Sequence, residues 1–425
     1  MTGRELLADL KWRGLFAQST DEDALVAALD GGSVSVYIGF DPTAPSLHIG
    51  HLVVLLALRR FQLAGHRPIA LVGGATGLVG DPSGRNSERI LNDEAVISGW
   101  VAGIRSQLEA FLVFDDSPNS AVMANNLDWT RSLTALELLR DIGKHFSVNQ
   151  MLAKDSVATR LEAGGISYTE FSYQVLQAMD YLELFRREGC TLQMGGSDQW
   201  GNITAGLDLI RRVDQGAAHA LTMNLLMKSD GTKFGKSAGG AVWLDAEMTS
   251  PYALYQYWFN TDDADVIAYL KFFSFADRPT IEDLASQLRE RPAQRDAQRF
   301  LAREMTSLVH GAEECERVEL AATALFGFGD LSQVGEATLA GALLQVPRAA
   351  IDRTQVFPSL IELLAATGVV DSKSAARRTI REGGAYLNNV KVTDEGFIPT
   401  RGDLLHDRFL VLRRGKRDIA AIEVS

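Results

Sequence analysis

Cysteine is scarce in this chain: Cys190 and Cys315 are its two, far apart and without a C-x-x-C spacing, among 425 residues. That excludes a disulfide framework and a cysteine zinc site. A reducing, cytoplasmic compartment is the expectation. Long apolar runs are missing as well, the longest, Leu52 to Leu58, being far short of the ~20 residues that span a bilayer. Charged residues interrupt MTGRELLADLKWRG every few positions, so neither a membrane span nor a targeting segment is expected. Positive charge is in deficit, 42 Lys and Arg against 54 Asp and Glu for a net −12, which argues against indiscriminate nucleic-acid binding if the charge is evenly spread. What is present is ordinary: 46% apolar and 23% charged residues mark a globular chain with a sizeable core. At ~150 residues per domain the length suggests about three domains.

The charge is not evenly spread. Residues 351–425 carry 12 Lys and Arg against 10 Asp and Glu, leaving 30 against 44 for residues 1–350. The tail is the basic end of an acidic chain, and its cations have a pattern. Ser372 can cap a helix in which Lys373, Arg377 and Arg381 follow at i, i+4 spacing with Arg378 beside them. Gly383 and Gly384 stop it. The strand AYLN, the Asn388-Asn389 turn and RFLVLRRGKRD, with Arg413, Arg414, Lys416 and Arg417, supply a basic-edged sheet. A solvated face is the bland reading; helix and strand both concentrating cations favours an RNA surface.

The first third reads as βαβ units. VSVYIGF (34–40) is a buried strand, Ser46 or Leu47 opens a helix through Leu63, and PIALVGGATG (68–77) is the next strand with a glycine-rich exit. Such units build a doubly wound, Rossmann-like parallel sheet with ligands at the carboxyl ends of its strands. Helical patterns fill roughly 130–190, CTLQMGGSDQWGN gives another strand, and 204–213 another helix. The expected division is a catalytic domain at 1–224, a loop-bearing linker at 225–250, a helical domain at 251–326, a second linker at 327–354, and a small α/β module at 355–425.

Two familiar nucleotide motifs are excluded by register. Gly235-Lys236-Ser237 lacks the Walker glycine five positions earlier, where Asp230 stands, and GGATGLVG places Ala75 where the dinucleotide fingerprint needs glycine. His48 and His51 share a helical turn without the Glu of H-E-x-x-H or a third ligand, so no protein-bound metal is expected. At the first turn of a helix after a strand, they instead face where phosphate would sit.

Against these readings, Pro42-Thr-Ala-Pro-Ser-Leu-His-Ile-Gly-His51 resembles the HIGH signature of class I aminoacyl-tRNA synthetases, and Lys233-Phe-Gly-Lys-Ser237 resembles their KMSKS loop. YIGFDPTA (37–44), LVGGATGLVGDPSG (71–84), FSYQVLQAMD (171–180) and GGSDQWGNI (195–203) resemble the bacterial tyrosyl-tRNA synthetases in particular, in family order. The resemblance implies that Tyr37 and Asp180 bind the substrate phenol hydroxyl. It implies that Asp81, Tyr173 and Gln177 bind the ammonium, and that Asp41, Gly50, Gly196, Asp198 and Gln199 line the ATP and adenylate side. Thr43, His48, His51, Lys233 and Lys236 would contact phosphates, with Ser237 beside them. It further implies L-tyrosine, ATP with Mg²⁺, and tRNA(Tyr) as substrates, a homodimer, and a tail that is an RNA-binding module of the ribosomal-protein type. A retired synthetase kept as an RNA-binding protein would lose His48, His51, Lys233 and Lys236, and a small-molecule nucleotidyltransferase would need no basic tail. The tryptophan enzyme would have no use for Tyr37 with Asp180, since an indole carries no hydroxyl.

Overall fold

The structure is a computed structural model. It describes residues 1–83, 92–227, 229, 234, 236–237, 240–327, 329–415 and 418–425, with the backbone alone for 155, 156, 163, 236, 237 and 327. The chain forms two compact units, both discontinuous: Met1–Asp245 with Asp262–Glu290, and Ala246–Thr261 with Arg291–Ser425.

The first unit is built on six strands among the described residues: β1 (Phe16–Ser19), β2 (Ser35–Phe40), β3 (Arg67–Val72), β4 (Val122–Asn125), β5 (Cys190–Gly196) and β6 (His219–Met223). Their order in the sheet is β1-β6-β5-β2-β3-β4, with β1 antiparallel at the edge and the other pairings parallel. Val36, Tyr37, Ile38 and Phe40 on β2 are buried, as a central strand covered on both faces requires. From β2 the chain runs to β3 and β4 on one side, while β5 and β6 lie on the other. The crevice at the carboxyl ends of β2 and β5 is therefore a topological switch point, where doubly wound sheets bind ligands.

The helix after β2 spans Ile49–Leu63 and buries Leu52, Leu55, Leu56, Leu58 and Phe61. It opens two to three residues later than apolar spacing suggests, because His48 is its N-cap: His48 Nδ1 accepts from Gly50 N at 3.0 Å, and His51 Nδ1 accepts from His48 N at 3.1 Å. An imidazole at each end of a capping box starts the helix where a serine pattern would not predict it. Leu47 belongs instead to a pairing with the returning chain, Leu244 N donating to Leu47 O at 2.9 Å and Ile49 N to Val242 O at 3.0 Å. The helix Tyr168–Glu188 is capped by Ser167 and stopped by Gly189 at φ 61°.

In the second unit the helices Pro251–Phe259, Asp296–His310 and Ala312–Gly327 bury Trp258, Leu301 and Met305. The helix Val266–Phe273 groups with the first unit, so the stretch expected as one helical body is divided. The small module carries a five-stranded sheet ordered 390–392, 385–387, 409–414, 418–424, 348–351. Its last strand, Arg348–Ile351, pairs parallel to Asp418–Val424 and lies within the stretch read as linker. A four-residue strand with two exposed positions leaves little periodic signal. Leu364, Ala376 and Ile380, from the helices Leu360–Ala366 and Lys373–Arg381, pack on Leu410, Leu412 and Ile422.

Candidate active site

A cleft of about 270 Å³ opens at the carboxyl ends of β2 and β5. Tyr37, Asp41, Thr43, Gly50, His51, Asp81, Tyr173, Gln177, Asp180, Gly196, Asp198 and Gln199, scattered over 163 positions of sequence, line this one space. His48 stacks on His51 with ring centroids 3.9 Å apart. Lys236 and Ser237 form a two-residue strand paired with Gly240–Ala241, described in backbone only, and Lys233 lies outside the described residues.

The floor is polar and buried. Tyr37, 1% exposed, pairs across the sheet with Ile69 and Gln193, and its hydroxyl has no hydrogen-bond partner among the described residues. The same holds for Gln177 Oε1 and Gln193 Oε1. Buried polar atoms are normally paired, so three unpaired oxygens in one cleft point to a polar ligand. Tyr173, Gln177 and Asp180 follow at i, i+4, i+7 on the helix Tyr168–Glu188, which puts all three on one stripe.

Asp180 is held on both sides: Oδ1 accepts from Trp129 Nε1 at 2.8 Å and Oδ2 from Asn126 Nδ2 at 2.9 Å. Burial pushes its carboxyl up to about 7, against the two hydrogen bonds, with Asp41 and Glu183 adding repulsion. Burial, then the Asp180 charge, raises the Tyr37 phenol well above its ordinary value, so Tyr37 stays a donor. Asn126 is a hub, its Oδ1 accepting from Ala75 N at 2.7 Å and its Nδ2 also reaching Thr76 Oγ1 at 3.0 Å. Sequence reasoning passed over Asn126, Trp129, Thr76 and Gln193. The available signal was Asn125-Asn126 at the carboxyl end of an otherwise apolar parallel strand.

A second polar group surrounds the floor. Asp41 accepts from Thr76 Oγ1 at 2.6 Å and from the Tyr173 hydroxyl at 2.7 Å, which ties it to the helix Tyr168–Glu188. Asp81 Oδ2 accepts from Gln199 Nε2 at 2.7 Å, and Gln199 Oε1 from Asn202 Nδ2 at 3.1 Å. A Cβ on Gly73 would collide with Asp41 and Thr76, which is why the chain leaving β3 needs glycine there. A Cβ on Gly50 would lie 2.7 Å from His48 Cε1 and break the cap. Because both imidazoles accept at Nδ1, their neutral forms carry the proton on Nε2.

The basic tail is a separate surface. Arg377 and Arg378 are exposed, Lys373 meets Glu362 at 2.8 Å, Arg381 meets Glu395 at 3.0 Å, and Arg414 lies 3.8 Å from Asp418. Arg413 departs from the expectation of a phosphate contact. It is fully buried, on the face of its strand opposite Leu410 and Leu412, and it donates to Asn389 Oδ1 at 2.8 Å. Lys416 and Arg417 lie outside the described residues.

Residues 29–327 match the family of class I tRNA synthetases for tryptophan and tyrosine (W and Y), and residues 339–422 match the tyrosine–tRNA ligase SYY-like C-terminal domain. The chain is 59% identical over 423 residues to the tyrosine–tRNA ligase of Streptomyces coelicolor, covering 99% of each. It is 58% identical over 428 residues to that of Thermobifida fusca, covering 98% of this chain and 99% of the relative. Among solved structures, the C-terminally truncated mitochondrial tyrosyl-tRNA synthetase of Aspergillus nidulans superposes with a TM-score of 0.69 at 32% identity, over 76% of this chain and 97% of that one. A tryptophanyl-tRNA synthetase from Encephalitozoon cuniculi, at 16% identity and TM-score 0.54 over 74% of this chain and 90% of that one, shares the fold. With both halves of the chain matched and the relatives aligned end to end, the chain belongs to the class I tRNA synthetases and, within them, to the tyrosine–tRNA ligases.

Proposed function

We propose that this cleft carries tyrosine–tRNA ligation with the following division of labour. The tyrosine hydroxyl sits between Tyr37 and Asp180, the phenol donating and the carboxylate accepting. Its ammonium meets Asp81, Gln177 and the Tyr173 oxygen; because the Tyr173 hydroxyl donates to Asp41, its lone pairs are left to accept. The substrate carboxylate is already a nucleophile at neutral pH, so no general base is required. It attacks the α-phosphorus of ATP, the new C–O–P bond forms, and the bond to the leaving oxygen breaks to release pyrophosphate. Mg²⁺ enters with ATP as substrate, held mainly by phosphate oxygens and water.

Catalysis then comes from positioning and charge. Thr43 and the Nε2–H groups of His48 and His51 face the phosphates, beside Gly50. Lys233 and Lys236 contact the leaving pyrophosphate, and the pairing of 242–244 with 47–49 brings the chain that follows Lys236 back beside the helix start. Gly196, Asp198, Gln199 and Asp41 take the ribose and adenylate. A terminal hydroxyl of tRNA(Tyr) next attacks the acyl carbon and AMP leaves. Lys373, Arg377, Arg378, Arg381, Arg414, Lys416 and Arg417 hold the tRNA backbone. The enzyme acts in the cytoplasm as a homodimer; exposed Leu136, Leu139 and Val148 on the first unit supply apolar surface for a second copy.

One observation carries this reading: a buried, unpaired Tyr37 hydroxyl lies in the same cleft as Asp180, whose carboxylate Asn126 and Trp129 hold in place. The test is amino-acid-dependent exchange of labelled pyrophosphate into ATP with each amino acid in turn. Exchange should depend on tyrosine; dependence on tryptophan, or none, overturns the assignment.

A further inference from the structure

The Asn388-Asn389 turn does more than close a hairpin. Both residues take the left-handed backbone, at φ 48° and 66°, the geometry of a two-residue turn that suits asparagine. Asn388 serves its own module, accepting from Val411 N at 2.8 Å and donating to Asp403 O at 2.5 Å. Asn389 points elsewhere. Its Nδ2 donates to Ala324 O at 2.7 Å and Gly329 O at 2.8 Å, carbonyls at and just past the end of the helix Ala312–Gly327 in the helical body. Its Oδ1 accepts from Arg413 Nη1 at 2.8 Å. The last carbonyls of a helix have no partner within the helix, so this amide supplies what the helix end lacks. The contact is reinforced nearby, where His406 Nε2 meets Val334 O at 2.8 Å and Arg408 reaches Glu336 at 3.4 Å.

We infer that Asn389 is a positioning residue for tRNA charging: its amide fastens the small basic module to the end of the Ala312–Gly327 helix, so that the module presents its cations in one orientation. The inference rests on the reading of that module as the tRNA contact. An amide is suited to the task because one side chain donates to the body and accepts from the module at once. Arg413, lost to phosphate binding by burial, is then the group that holds the amide in register. A module on a loose tether would still bind phosphate, but it would have to be ordered each time tRNA is captured, which weakens binding without touching the chemistry.

The discriminating variant is Asn389→Asp. It keeps an oxygen for Arg413 and the turn backbone, so the module keeps its fold, but it replaces the donor with an acceptor facing two carbonyls. Asn389→Gly tolerates the same φ and removes the whole side chain. In the full-length dimer both variants should leave pyrophosphate exchange unchanged and speed amide hydrogen exchange across residues 324–335. The KM for tRNA should rise about three- to tenfold, with kcat at saturating tRNA close to the parent value. His406→Gln should move the same readouts less. Unchanged hydrogen exchange, or faster exchange with an unchanged tRNA KM, overturns the positioning role. Arg377→Ala with Arg378→Ala is measured alongside. If that pair also leaves tRNA KM unchanged, the module is not the RNA contact, and the inference falls with that reading.

Discussion

The cleft and the helix Lys373–Arg381 handle charge in opposite ways. Asp180 is 2% exposed and held by two donors, and its neighbours Asp41 and Asp81 are tied to Tyr173, Thr76 and Gln199. The side chains of Lys373 and Arg381 are 61% and 71% exposed, each against a single surface carboxylate. Around Asp180 a buried polar group left without its partner is costly, so geometry governs what the cleft can hold. On the helix, water and salt compete for every contact. The pairs with Glu362 and Glu395 hold these cations only weakly, since exposed ion pairs contribute little.

The sharpest way to break this contrast is Asp180→Ala. Losing an ionic hydrogen bond of about 1.5–3 kcal/mol should lower kcat/KM for tyrosine by roughly ten- to a hundredfold. A folded variant that loses less than about threefold in pyrophosphate exchange would show that Asp180 does not read the hydroxyl. Asn126→Ala should follow at about tenfold or somewhat less, because it frees Asp180 on one side and leaves Ala75 N without its acceptor. Single-turnover adenylate formation at saturating tyrosine checks it: an unaltered rate constant and unaltered tyrosine KM would remove Asn126 from the site.

The helix should answer to salt instead. Arg377→Ala and Arg378→Ala should each flatten the log–log salt slope of tRNA Kd by about 0.7–0.9, while tyrosine KM in the same salt series stays flat. A slope equal to the parent's for both variants would make these residues a solvated face.

A smaller effect concerns pH. Folded Asp180 titrates at about 7 against an ordinary 3.8. Between these values the folded state keeps a proton that the unfolded chain has released, so the stability contributed by this group is present at low pH and falls as pH rises from about 4 to about 7. The Tm of the parent relative to that of Asp180→Asn should therefore fall across that window and level off above it. A pH-independent difference would mean that Asp180 is not perturbed. Smallest of all, Lys373→Ala should leave the denaturant midpoint of unfolding within error of the parent's, since its pair with Glu362 is exposed. A clear drop in that midpoint would mean that the helix is built on that pair.

The local elements were legible because they are written in neighbouring residues. The strand VSVYIGF, the glycine-rich exits after two parallel strands, the Ser372 cap and the cations of the last helix all follow from periodicity, turn chemistry and charge spacing within a few positions. The stripe Tyr173, Gln177, Asp180 is likewise implicit in helical spacing. Tertiary structure alone decided the rest. Only the folded sheet brings Asn126 and Trp129 beside Asp180, from more than fifty positions away, and local sequence holds no trace of such a long-range hydrogen bond. Arg413 and Arg414 are adjacent and chemically alike; Arg413 is buried on the face opposite Leu410 and Leu412, where Asn389 accepts from it, while Arg414 at the end of the strand is exposed. The late start of the Ile49–Leu63 helix has the same origin, since the apolar pattern begins earlier but the cap is made by two imidazoles and by chain returning from residue 242.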